Sequence, residues 1–420
     1  MTKKRFLIQG GAPLKGTVEV SGYKNSAGAV LAASLLSEEP SVIGNLPRCL
    51  DVLNFIKILE EIGAEVEWLT PNKIRIIPKN IDPSKIPINT FEKMRISVLL
   101  LGPLLARFRK FKVPHPGGDK IGIRPITAHL EALRSFGVKT KEQDGFYVFE
   151  TPRQKKGKRV VLNEFSVTAT ENVMMLASKI KGITRIEIAA AEPQIQDLAD
   201  FLQKMGANIK GAGTHTIEID GRDHLFGTEF SICYDPTEAG TFMAAFVVTQ
   251  GEGIIKNVNL EHLSMFLKKM RKMGVKFKAR GNQIEVKKTK RLSPAKIQVL
   301  PYPGFPTDLQ PQISVLLTQA QGKSLVHDPL YESRFNHMHE LRKMGADIEI
   351  TDPHRALIFG KTRLKGSRIN APDIRGGAAL ILGGLIAEGK SSIANVYQID
   401  RGHDNFDEKL RKLGADITRT

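Results

Sequence analysis

The chain has 420 residues, 62 of them Lys or Arg against 44 Asp or Glu, for a formal charge of +18 at neutral pH. That length exceeds what one hydrophobic core commonly supports, so two domains are expected, and the excess of cations suits anionic ligands. A membrane-spanning or disulfide-scaffold protein is excluded: the most apolar run, Val98 to Ala106, lies between Arg95 and Arg107, and Cys49 and Cys233 are the only cysteines.

At the N-terminus only Phe6-Leu7-Ile8 follows the basic residues, far short of a secretory segment. A cytoplasmic protein without metal or disulfide is therefore expected. An opening segment comes first, Lys4–Gly10 and Lys15–Val20. The loop Ser21-Gly22-Tyr23-Lys24-Asn25-Ser26 then leads into a helix. Its glycine, lysine and amide suit a phosphate at a helix N-terminus; the plainer reading is an N-capped helix with a surface lysine.

From there the chain repeats itself. Six times an amphipathic helix ends on a glycine, followed by a small residue and a short alternating strand. The glycines are Gly63, Gly137, Gly206, Gly274, Gly345 and Gly414, at intervals of 68 to 74 residues. Glycine enters the left-handed region cheaply and is the expected helix C-cap. Each unit also holds a small-residue, Leu/Ile-rich helix running into a strand. These lie at Ala27–Asn45, Ile96–Val113, Glu171–Ala190, Ala239–Val258, Gln312–Asp328 and Gly377–Val396. Apolar on nearly every face, these helices are expected at the centre of a domain, with the capped ones nearer the surface. Six such units imply two α/β domains of three repeats each, residues 21–229 and residues 1–20 with 230–420, the opening segment completing the second. The chain crosses twice between them, and a cleft there is the expected ligand site.

Within this frame the most unusual stretch is Pro114-His115-Pro116-Gly117-Gly118-Asp119-Lys120-Ile121-Gly122-Ile123-Arg124-Pro125. Prolines and glycines make it a shaped, hinged loop. A lone acid at Asp119 and a cation at Arg124 read as a lid bringing a proton donor to an anionic substrate; an acidic surface turn is the plain alternative. Phe305-Pro306-Thr307-Asp308 places an acid before an apolar helix, as an N-cap or as a general base. The segments Ala371-Pro372-Asp373-Ile374-Arg375-Gly376-Gly377 and Ile399-Asp400-Arg401-Gly402 each set an acid beside an arginine at a helix entry, and Arg95 and Arg334 stand next to apolar segments. Exposed ion pairs are the bland reading of each. Together they point to acid/base chemistry on a multiply anionic small molecule.

The stretches IQGGAPLKGTVEVSGYKNSAGAVLAASLL, PGGDKIGIRP, FPTDLQ, ESRFNHMHEL and YQIDRGHDNFDEKLRKLGA, in this order, resemble the enolpyruvyl transferases that act on UDP-N-acetylglucosamine. The resemblance runs essentially the length of the chain. It implies an inside-out α/β barrel of six βαβαββ-type repeats, three per domain, with the active site in the cleft between domains. The implied reaction is transfer of the enolpyruvyl group of phosphoenolpyruvate to the sugar 3-hydroxyl. It releases phosphate, needs no cofactor or metal, and commits the sugar nucleotide to peptidoglycan. By the same resemblance Asp119 donates a proton to the vinyl carbon, Asp308 takes one from the hydroxyl, and Lys24 takes part in catalysis. Lys24, Asn25, Arg124, Arg375 and Arg401 would hold phosphoenolpyruvate. Asn25, Arg95, Arg124, Pro125, Ile126, Thr127, Ala128, Ser166, Val167, Thr168, Asp308 and Leu330 would face the sugar nucleotide, with Arg334 near the closed cleft. The implied partners are these two small molecules, with no nucleic acid, no membrane insertion and a monomeric chain.

Three residues depart from the family pattern. Asp119 stands where Cys is commonest, Thr127 replaces an Asp, and Glu164 occupies a position where a basic residue is common. A carboxylic acid can protonate carbon only if the site keeps it protonated, since an ordinary aspartate is ionised at neutral pH. It cannot be alkylated as a thiolate is, so insensitivity to the epoxide antibiotic fosfomycin is expected. Thr127 and Glu164 bear on nucleotide contacts. The nearest rival, an enolpyruvylshikimate phosphate synthase, would carry Lys-Ser where Lys24-Asn25 stands. A basic RNA-binding or RNA-end-processing repeat protein would explain the charge, but aromatics are few and no basic stripe is interleaved with them. A non-catalytic relative is at odds with the intact Lys24, Asp308 and Arg401.

Overall fold

The computed structural model describes residues 4–420. Contacts divide the chain into two compact units. One comprises Met1–Ser21, Lys120–Ile123 and Tyr234–Thr420; the other comprises Gly22–Asp119 and Arg124–Cys233. Each unit has its own apolar core. No helix among the described residues is long and apolar enough to cross a membrane.

All six predicted caps are formed. Gly63, Gly137, Gly206, Gly274, Gly345 and Gly414 have φ between +79° and +111°, the conformation that side-chain-bearing residues adopt at a cost. In five of them the next amide reaches back five residues, as Ala64 N–H does to the Leu59 carbonyl at 2.9 Å and Ala415 N–H to Leu410 at 3.0 Å. This double closure satisfies the orphan carbonyls of the last turn and fixes the direction in which the following strand leaves.

The apolar helices are Lys24–Ala33, Leu101–Arg107, Val167–Ser178, Pro236–Val248, Gln310–Thr318 and Ile374–Ile386, and nearly every residue in them is buried. Small residues let their backbones approach. A Cβ on Gly28 would lie 1.9 Å from Ile96 Cδ1, and Gly102 N–H donates to Asn172 Oδ1 at 2.6 Å. Against these helices lie, among the described residues, six sheets, three per unit, five of four strands and one of three.

The four-stranded sheets share one plan. An edge strand runs parallel to the next, and the other pairings are antiparallel, as where Lys296–Gln298 lies beside Gly322–His327, then Arg355–Gly360, then Asp347–Asp352. The chain ends meet in this scheme: Arg5–Gln9 pairs antiparallel with the last strand, Asp416–Arg419, and Lys15–Glu19 runs parallel with Glu252–Lys256. The three-stranded sheet, Lys110–Pro114, Phe146–Glu150 and Lys139–Gln143, lacks the parallel edge. A 3-10 turn at Pro83–Lys85 packs against Lys110–Pro114 instead. Pro83 and Pro87 have no N–H to give a ladder, so this stretch turns rather than extends.

Candidate active site

Two groups of charged side chains stand out, one on each unit. On the unit of residues 22–119 and 124–233, the Tyr23 N–H is bonded to the Cys233 carbonyl at 2.8 Å, where the chain enters and leaves. The helix Lys24–Ala33 follows directly. It has no side-chain N-cap, so the plainer reading of this loop does not hold. Nor is Lys24 a surface lysine: it is 9% exposed, and its Nζ lies 2.9 Å from Oδ2 of Asp51, itself buried on the first turn of Leu50–Glu61. A cation on the first turn opposes its own helix dipole. Such an arrangement is costly for the helix alone but suits an anion drawn by both the lysine and the free N–H groups. Asn25 Nδ2 donates to the Tyr23 hydroxyl at 3.0 Å.

The loop leaves the strand Lys110–Pro114 and is pinned along its length. A Cβ on Gly117 would lie 1.6 Å from the Glu92 carbonyl oxygen; Gly118, at φ +134°, packs on the Cβ of Arg95 and Nη1 of Arg124. Asp119 follows, half-buried. The next four residues group with the other unit: Ser333 N–H donates to the Ile121 carbonyl at 3.0 Å, Asn336 Nδ2 to Lys120 at 3.2 Å, and Ile123 N–H to Glu332 Oε1 at 2.6 Å. That last donation, first among several, holds the Glu332 carboxyl below its usual range. Arg95 then grips the far end, with Nη1 at 2.5 Å from the Arg124 carbonyl and Nη2 at 2.8 Å from that of Pro125. Arg95 thus has a structural task that sequence did not suggest.

Downstream, Ile126 is buried in the core, and its carbonyl accepts from Leu130 N–H at 3.0 Å. Thr127, itself exposed, begins the helix Thr127–Arg134, and Ala128 packs partly on the core. His129, 1% exposed, was not foreseen as a site residue. Asn172 orients it. The Asn172 Oδ1 accepts from Gly102, so its Nδ2 donates, to the Val98 carbonyl and to His129 Nδ1, both at 3.0 Å. His129 Nε2–H therefore donates to Thr168 Oγ1 at 3.0 Å, which leaves the Thr168 proton to point elsewhere. Burial, reinforced by the Arg95 charge, pushes His129 down to about 3 and keeps it neutral. Ser166 stands immediately before the helix Val167–Ser178, its N–H bonded to the Glu164 carbonyl at 2.7 Å.

The second group centres on Asp308, which lies inside the 3-10 turn Thr307–Leu309 and does not cap the following helix. Arg334 Nη2 reaches its Oδ1 at 2.9 Å, and Nε and Nη2 of Arg375 reach its Oδ2 at 3.0 Å. Arg334 is 1% exposed, donates also to the Thr307 carbonyl, and lies 3.6 Å from Asp373. Asp373 caps Ile374–Ile386 by accepting from the N–H groups of Arg375 and Gly376. Beneath Asp308, the fully buried Asp328 accepts from Thr307 Oγ1 at 2.7 Å and from Leu330 N–H at 3.1 Å. Burial raises its carboxyl above the usual value, against the Thr307 hydrogen bond. Leu330 itself is exposed. Arg401, 4% exposed, donates to Gln398 Oε1 at 2.8 Å, whereas its sequence neighbour Asp400 pairs bidentately with Arg419. Chemically, the first group offers a helix terminus with a lysine and a loop acid, and the second a carboxylate held between two guanidinium groups.

The EPSP synthase family (3-phosphoshikimate 1-carboxyvinyltransferase) matches residues 8–410. The chain is 44% identical over 416 residues to a UDP-N-acetylglucosamine 1-carboxyvinyltransferase of Halothermothrix orenii, covering 99% of each. It is 40% identical over 414 residues to that of Thermotoga maritima, covering 98% of each. Among solved structures, the enolpyruvyl transferase NikO of Streptomyces tendae superposes at a TM-score of 0.90 with 23% identity, over 100% of this chain and 99% of that one. An EPSP synthase of Acinetobacter baumannii superposes at 0.76 with 20% identity, over 99% of each chain. These two likenesses concern the fold.

Proposed function

The chain belongs to the EPSP synthase family of carboxyvinyl transferases, and on that premise we propose that it moves the enolpyruvyl group of phosphoenolpyruvate to the 3-hydroxyl of UDP-N-acetylglucosamine. It is a transferase of peptidoglycan synthesis acting on small molecules. The observation that carries this reading is 44% identity along 99% of both chains to a relative named for that sugar nucleotide. The rival acceptor, shikimate 3-phosphate, is supported by fold likeness at 18–20% identity, which many activities share.

In the reaction, the Asp119 carboxyl gives its proton to C3 of phosphoenolpyruvate, leaving C2 electron-poor. The sugar 3-hydroxyl attacks C2 and loses its proton to Asp308, giving a tetrahedral ketal. Asp119 then takes a proton back from the new methyl group as the C2–O bond breaks, the phosphate leaving with the bonding electron pair and the proton that Asp308 had taken, and the enol ether forms. Lys24, Arg124, Arg375 and Arg401 neutralise the phosphate and carboxylate, with Asn25 beside the reacting sugar; forked arginines suit both anions. Arg334 and Arg375 hold Asp308 in one orientation. Main-chain groups of Pro125, Ile126, Thr127, Ala128, Ser166 and Val167, with the Thr168 hydroxyl, Arg95 and Leu330, serve the nucleotide. Residues 21–229 and residues 1–20 with 230–420 act as the two catalytic domains of a monomeric cytoplasmic enzyme.

The test is phosphate release from phosphoenolpyruvate with each acceptor. Turnover with UDP-N-acetylglucosamine alone is expected. Turnover with shikimate 3-phosphate alone would overturn the assignment.

A further inference from the structure

The internal repeat supplies its own control for surface charge. Residues 264–296, which run from the capped helix Ser264–Lys272 through the hairpin of Phe277–Arg280 and Gln283–Val286 to Lys296, hold twelve Lys or Arg and a single acid, Glu285. The stretches of equal length that begin at four of the other capped helices (residues 50, 127, 193 and 336) each hold four to six acids. The fold thus builds this helix and hairpin repeatedly on mixed charge, and unipolar charge is no requirement of the architecture.

Eleven of the twelve cations are exposed, and only Lys269 is half-buried. Glu285 is spent on Lys287. Lys269 Nζ donates to the Lys296 carbonyl at 2.8 Å, so the helix and the strand that follows the hairpin carry their cations side by side. The crowding is felt: burial first, then the charges of Lys272, Lys268 and Lys296, hold the Lys269 ammonium below its usual value. A surface that repels itself is relieved by a polyanion.

We propose that the face formed by residues 264–296 docks the protein on anionic lipid bilayers. Nine of its cations are Lys and three Arg, point charges that follow a fluid headgroup layer more readily than they read fixed phosphates. Its one aromatic ring between the hairpin and the helix, Phe277, is half-buried under Arg271, whose Cζ lies 4.9 Å from the ring centre, so no base can stack there. No large apolar side chain in the stretch is exposed, so the docking is electrostatic, reversible and salt-sensitive, without insertion. The inference does not depend on the proposed reaction.

The experiment is co-sedimentation of the full chain with vesicles of phosphatidylcholine alone or of equimolar phosphatidylcholine and phosphatidylglycerol. A patch variant (Lys268→Gln, Lys272→Gln, Lys288→Gln, Lys290→Gln) is compared with a control losing the same charge elsewhere (Lys57→Gln, Lys79→Gln, Lys139→Gln, Lys141→Gln). Binding only to the anionic vesicles is expected, weakening with salt, and at least about tenfold weaker in the patch variant with the control near wild type. Absence of binding to anionic vesicles, or equal weakening of the two variants, would overturn the proposal. So would release from vesicles by duplex DNA at equal phosphate concentration, which would make nucleic acid the preferred partner.

Discussion

Arg375 places two of its guanidinium nitrogens, Nε and Nη2, on one oxygen of Asp308, each at 3.0 Å. The other oxygen belongs to Arg334. The carboxylate can therefore rotate only if one of the two arginines lets go. Arg375→Lys keeps the charge but loses the fork. We expect a fall of about a hundredfold in kcat for phosphate release, a magnitude typical of losing one oriented electrostatic contact. Stability should drop by about 1–3 kcal/mol in urea, less than for an orphaned buried ion because Asp308 keeps Arg334. Unchanged kcat would place the hydroxyl's proton acceptor elsewhere.

Asp119→Asn removes the proposed proton donor while keeping its size. Turnover should vanish, and calorimetric binding of UDP-N-acetylglucosamine should persist. The wild type should stay unlabelled by fosfomycin in mass spectrometry, whereas Asp119→Cys should gain one covalent adduct, since a thiolate opens the epoxide and a carboxyl here does not. An adduct on the wild type would refute the account of this loop.

Gly117→Ala tests whether the loop must sit on its base. The added Cβ would fall 1.6 Å from the Glu92 carbonyl, so the backbone has to move. A displacement near ~1 Å can cost about a hundredfold in rate. We expect kcat to fall by about that factor with the melting temperature nearly unchanged, because the segment is an irregular loop outside the core clusters. A large fall in melting temperature would mean the loop base is part of the folding core.

Stability should respond to pH through Asp235, the buried N-cap of Pro236–Val248. Burial pushes its carboxyl up to about 6, against the Arg375 charge, with Glu238 adding to the rise. The folded state then holds this proton more tightly than the unfolded chain, so its contribution declines as pH rises from about 4 to about 6. Asp235→Asn can still cap the helix. Relative to wild type it should be neutral below about pH 4 and more stable by up to about 3 kcal/mol above about pH 6, read from urea midpoints. A constant difference across that range would show that Asp235 does not titrate there.

Much of the architecture was open to reading from local pattern. The glycine caps and the apolar helices are decided within a turn or two of chain, because the left-handed conformation and the burial of an all-apolar helix depend on adjacent residues. The missing edge strand before Lys110–Pro114 follows from Pro83 and Pro87, a signal present in the sequence but outweighed by the regularity of the repeat. His129 gave no signal: one histidine in the first turn of an amphipathic helix is indistinguishable from a surface residue until Asn172 and Thr168 are brought around it.

By itself the sequence determined the sixfold repeat, the family and the set of charged residues from which the site is drawn. Tertiary structure decided which of those charges meet. Asp373, two residues before Arg375, spends its oxygen on backbone N–H groups, while the Arg375 side chain goes to Asp308, 67 positions away; Asp400 likewise passes over Arg401 for Arg419. A cap is closed by atoms a few bonds apart, but an ion pair between long side chains is set by where distant helices come to rest. Neighbours in the chain point to different sides of the element that carries them.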